Sequence, residues 1–203
     1  MAKPYGVWVP RLWTDTIEAH RRDVRQAIMD TTWQLVVEHG LLAVTMSRIA
    51  GQAGIGRATL YKYFPDVESI LFARHNDHVA HHLTQLAALR DAAGGAAEAV
   101  EAVLTGYARI CQHRGQGSDD LVTLLHRGED AARAQQLLAD LVQGVLVAAA
   151  GDGVVRTDVA PAELTGYCLH ALTAAGTLTS EDSLRRLVVV VHQGLAPPGP
   201  TTA

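Results

Sequence analysis

The chain has 203 residues, 48% of them apolar, enough to bury the core of one large domain or of a small domain joined to a larger one. Its net charge of −4 argues against indiscriminate attraction to polyanions, because phosphate binding is normally carried by a surplus of lysine and arginine. Cys111 and Cys168, with no CxxC pair and no secretory apolar stretch at the N-terminus, argue against a disulfide framework and point to a reducing cytoplasm, with both thiols as small buried hydrophobes.

The average charge hides a split. Residues 1–64 hold eight Lys or Arg against five Asp or Glu, a net +3, so the remainder carries −7. A basic front on an acidic body suggests that a polyanion is met at one end only.

In chain order, residues 1–19 form an N-terminal extension in which Trp8, Arg11 and Trp13 are expected at extended or proline-limited positions. Lys3 and Arg11 could reach a minor groove, as basic arms do. The two large aromatics dominate the segment, so packing on the head or on a neighbouring subunit is the expected role.

From 21 to 39, apolar residues at Val24, Ile28, Leu35 and Val36 follow a helical spacing that stops at Gly40. Thr45 can cap a short helix, "MSRIAGQAG", and Gly54 breaks it before "IGRATLYKYF" resumes. Two short helices about four residues apart have the spacing of a helix-turn-helix. Ala50 is small where they cross, Gly54 can take the positive φ of the turn, and Ile49, Ala53, Ile55 and Leu60 can form the shared core.

Such a unit presents the N-terminal end of its second helix to a major groove. Arg57 sits at that end, behind Gly56, and can donate two parallel hydrogen bonds to guanine, while Ala58 and the methyl of Thr59 can lie against thymine methyls. Tyr61, Lys62 and Tyr63 offer hydroxyls and an ammonium to phosphate oxygens; Thr45 and Arg48 belong to the supporting helix that crosses the strand.

Asp66 can cap a long fourth helix to about residue 92. Further helical stretches are predicted over 96–113, 119–128, 131–150, 161–178 and 181–194, with 196–203 as a tail that cannot pack. The fold class is therefore all-α. The longest apolar run, "LVQGVLVAAAG", is broken by Gln143 and too short for a bilayer, so neither a span nor a membrane partner is expected. No GxSxG, P-loop, HExxH or strand-flanked GxGxxG appears, and the carboxylates fall at helix starts or on solvated faces, so no catalytic residues and no enzyme activity are expected.

The fourth helix carries "RHNDHVAHH", which places His75, His78 and His82 on the face of Leu71 and Leu86. Three imidazoles at that spacing could ligate metal, but a zinc site wants a fourth ligand and supporting acceptors. Histidines lining a cavity or bonded in the core are the expected reading, with no metal and a metal-responsive regulator as the alternative.

The segment "LVVEHGLLAVTMSRIAGQAGIGRATLYKYFPDVESIL" resembles the DNA-binding domain of the TetR family of transcriptional regulators, over about residues 24–71. The resemblance implies a three-helix DNA-binding head at 20–65 and a ligand-binding and dimerisation body at 66–195, joined by the long fourth helix. It also implies a homodimer on a palindromic double-stranded DNA operator, a repressor released by an unknown small-molecule ligand, and no required cofactor. The family's contact residues map to Thr45, Arg48, Arg57, Thr59, Tyr61, Lys62 and Tyr63. Gly56 stands where many members have a capping serine, and Val67 where many carry a phosphate-reaching lysine.

In the resembled family the fourth helix borders the ligand cavity. That makes His75, His78 and His82 candidate pocket residues, with Tyr107, His113, His126 and Tyr167 as further lining. On the last two helices, Leu164, Leu172 and Ala175 of one and Leu184, Leu187, Val188, Val191 and Leu195 of the other give a wide apolar surface. The pair could bury it against its own body; pairing with a symmetry mate into a four-helix arrangement fits a two-fold operator better, and the resemblance supports such a dimer.

Overall fold

The structure, a computed structural model, describes residues 11–115 and 129–198; within them there are eight α-helices, two short 3₁₀ turns and no strand. The helix expected over 119–128, with His126, lies outside the described residues, as do the first ten residues and most of the tail. The chain divides into two compact units, Met1–His75 and Asn76–Ala203.

The first unit begins with helix α1, Arg11–His39, ten residues longer at its start than the sequence pattern predicts. Arg11 and Trp13 are thus helical rather than extended. Ile28, Met29, Leu35 and Val36 bury one face of α1, and Gly40, at φ 79°, ends it.

Two short helices follow, α2 at Met46–Gln52 and α3 at Arg57–Tyr63. Helix α4, Val67–Ala92, starts behind an Asp66 cap: its Oδ1 accepts from Ser69 N at 2.7 Å. The opening turns of α4 belong to the first unit, where Ile70 and Leu71 are buried. Arg74 pairs there with Asp30 and stacks 5.1 Å over the Trp33 ring. These commitments carry the unit to His75, ten residues past the end of the expected head.

In the second unit α5, Ala96–Gly115, is the central helix; it packs on α6, Glu129–Gly151, on α7, Pro161–Thr173, and on α8, Glu181–Leu195. Val100, Val103, Leu104 and Ala108 of α5 meet Val142, Val145, Leu146 and Ala149 of α6 in one core. The i, i+3, i+4 spacing of both sets is what puts each on a single helix face. Cys111 and Cys168 are unbridged and buried, and burial pushes the Cys168 thiol up to about 12.

One helix among the described residues, over Ala132–Gly151, is long and apolar enough to cross a bilayer by length and composition, contrary to expectation. Its run extends through Gln143 because Arg133 and Asp140 are the only charges in it. One face supplies the core residues just named, and Leu137 and Val147 are exposed.

Candidate functional site

The turn between α2 and α3 is built as the residue types require. Ala53 N donates to Ile49 O at 2.8 Å, Gly54 takes φ 67°, and Ile55 N then reaches back to Ala50 O at 3.0 Å. Ile49, Ala50 and Leu60 are buried between the helices, whereas Ala53 and Ile55 are half-buried. Thr45 caps α2 by accepting from Arg48 N at 3.3 Å.

Locking Leu60 inward fixes what α3 shows outward. Arg57, Ala58, Thr59, Tyr61 and Lys62 are exposed, Tyr63 is half-buried, and Phe64 closes the helix beneath the Arg25 guanidinium at 5.3 Å. Gly56 is the extended N-cap of α3 and gives no side-chain cap. Thr45 and Arg48 are exposed on α2. Arg57 and Lys62 form no ion pair among the described residues, so their donors remain for an external anion. Arg48 differs: its Nη1 donates to Ala43 O at 3.3 Å, tethering the guanidinium to the turn before α2, a contact the sequence did not reveal.

The second unit holds a cleft of about 650 Å³ between α4 and α5. His78 and His82 line it, their rings 4.2 Å apart and edge-on. Gln85, Arg109 and His113 join them; His113 of α5 is expected as further lining, whereas nothing in the sequence singles out Arg109. Leu86, Leu89, Gly106 and Ile110 form the apolar part.

The other expected lining residues are elsewhere. His75 belongs to the first unit, Tyr107 is buried in the core, and Tyr167 is an outward residue of α7. Among the described residues no three or more His, Cys, Asp or Glu side chains gather as metal ligands, so His75, His78 and His82 do not converge as a triad.

The dimer surface also needs correction. Leu164, Leu172, Ala175, Leu184, Val188, Val191 and Leu195 all lie in the subunit's own core, and Leu187 is partly buried against it. The seven buried side chains are therefore not available to a partner. The outward face of α7 and α8 carries Tyr167, His170, Arg186, Val189, Val190 and Gln193. Val189 and Val190 are 51% and 60% exposed, unusual for adjacent valines. Tyr167 lies so close over Gly194 that a Cβ there would fall 2.5 Å from its hydroxyl oxygen.

Residues 28–73 match the family model of bacterial regulatory proteins of the tetR family. The chain is 27% identical over 169 residues to the HTH-type transcriptional regulator MT2310 of Mycobacterium tuberculosis, covering 80% of this chain and 84% of that one. Its fold is similar to that of a TetR/AcrR-family regulator from Thermobifida fusca, with a TM-score of 0.72 at 20% identity over 85% of this chain and 98% of the other. It is also similar to the TetR regulator SCO0520 of Streptomyces coelicolor, with a TM-score of 0.61 at 24% identity, covering 86% and 99%.

Proposed function

We propose, from the match of its head to the TetR family of DNA-binding transcriptional regulators, that this chain is a regulator of that family: a cytoplasmic repressor that binds a palindromic operator as a homodimer and is released by a small molecule. The observation that carries the reading is the exposed row Arg57, Thr59, Tyr61 and Lys62 on a helix whose orientation is locked by buried Leu60 and Ala50. Arg57 reads a guanine edge, and Tyr61, Lys62 and Tyr63 hold the flanking phosphates with Thr45 and Arg48. No catalytic group and no required cofactor enters this reading.

Two subunits joined through the outward face of α7 and α8 would bring a pair of recognition helices to the two half-sites of one operator, whose successive major grooves lie about 34 Å apart. A ligand that favours a dimer with a different spacing empties the operator by shifting the population; a ligand with equal affinity for both states shifts nothing. Selection of bound sequences from random duplex DNA tests the proposal. It should return an inverted repeat with half-sites about one helical turn apart. A single unrepeated half-site, or no enrichment at low salt, would refute it.

A further inference from the structure

The cleft in the second unit has a one-sided chemistry. Every ionisable side chain that lines it among the described residues is a base: His78 and His82 from α4, Arg109 and His113 from α5. Leu86, Leu89 and Ile110 give it an apolar wall. Its volume of about 650 Å³ lies within the range of small-molecule sites.

The hydrogen bonds show where a ligand's charge would go. His113 Nδ1 lies 2.7 Å from Arg109 O, and a carbonyl can only accept, so Nδ1 carries the proton; Nε2 is then an acceptor in the neutral ring and donates to an anion only in the protonated one. Arg109 Nη2 donates to Glu181 Oε1 at 2.6 Å, which occupies one of five guanidinium donors, and the side chain is 54% exposed. A cation in this cleft would meet Arg109 with no carboxylate among the described lining. A carboxylate would meet an arginine built for two-pronged binding.

We propose that the cleft binds an organic acid, its carboxylate on Arg109 beside His113 and its apolar body along Leu86, Leu89 and Ile110, and that the bound acid competes with Glu181 for Arg109. Glu181 stands in the first turn of α8, the helix whose outer face carries Val189 and Val190. Ligand charge is thereby coupled to the end of the helix assigned to dimerisation. The inference rests on the reading that this unit takes a small molecule, and adds the chemical class and the contact it disturbs.

Calorimetric titration of the full chain with matched probes tests it: octanoate against octanol and octylammonium, and 1-naphthoate against 1-naphthylmethanol. At least one acid should bind about tenfold more tightly than its neutral match, and octylammonium most weakly. Arg109→Gln should bring acid and neutral probe level, and Glu181→Gln should tighten the acid several-fold by removing its competitor. Equal or tighter binding of the neutral or cationic probe, no acid binding, or an acid preference that survives Arg109→Gln overturns the proposal. If Arg109→Gln does not fold by circular dichroism, Glu181→Gln decides alone, and unchanged acid affinity overturns it. A gel shift on the same preparations separates the two readings: acid binding without operator release supports the cleft assignment and removes the release mechanism.

Discussion

Gly106 of α5 sits against Leu89 of α4 so closely that a Cβ on the glycine would stand 2.7 Å from Leu89 Cδ1, and 2.9 Å from Leu86 Cδ2. The absent side chain is what lets the two cleft-forming helices approach. Replacing it by alanine gains about 1 kcal/mol of helix propensity and incurs about 1–3 kcal/mol of overpacking. Leu89 is 40% exposed and can swing aside, but Leu86 is 1% exposed and cannot. Gly106→Ala should therefore lose about 1 kcal/mol net in urea denaturation, and Gly106→Val more, since its branches add further bulk and stiffness.

Arg57 makes no ion pair among the described residues and is exposed, so its removal should leave the fold alone and fall on DNA. Arg57→Ala is expected to cost about 1–3 kcal/mol of specific binding and to relax one base position, with an unchanged melting temperature. A gel shift against the selected operator and its point variants measures both.

The head was legible from sequence because its signals are local. Thr45 and Asp66 cap the helices they were expected to cap, Gly54 takes the positive φ its turn needs, and Ile49 and Leu60 are buried. Each of these depends on neighbours a few residues away. The run Val188 to Val191 shows the opposite case. Helical spacing from Leu184 to Leu195 picks out Val188 and Val191 as one stripe but cannot say whether that stripe meets a partner or the subunit's own body, and only the packing sends it into the core and leaves Val189 and Val190 outside.

The cleft fell between these cases. The histidine spacing on α4 singles out His78 and His82, and His113 is expected as further lining, but Arg109 reaches the same space from α5 and nothing periodic links it to α4. A glycine in the middle of an otherwise helical pattern was the available signal, since such a residue often marks a close approach. Gly106 is that residue. Tyr107, next to it, turns inward by the 100° step between neighbouring helix positions.

The outward and inward faces of α7 and α8 make separable predictions. Val190→Asp puts a charge on a surface 60% exposed in the subunit, so it should give a folded monomer by sedimentation, with its helical signal kept. Leu172 is fully buried, and Leu172→Ala should instead cost about 2–5 kcal/mol of stability in the second unit. A Val190→Asp protein that sediments like the wild type would move the dimer contact off this face.

Arg109 holds the Glu181 carboxyl below its ordinary value of 4.5, chiefly through their hydrogen bond, with smaller help from the charges of Arg109, Arg185 and His113. A carboxyl that ionises more readily in the folded chain adds stability above its unfolded value, and loses that contribution as pH falls through the lower folded one. Below about pH 4.5 the wild type should therefore lose melting temperature more steeply than Glu181→Gln, in which nothing titrates at this position. Arg109→Gln should flatten the profile in the same way, because the shift has lost its cause. The pair is solvent-exposed, so the difference should be small and should shrink further in high salt. Melting curves for the three proteins from about pH 3 to 7 at two ionic strengths measure it, and parallel curves would mean that the pair does not hold in solution.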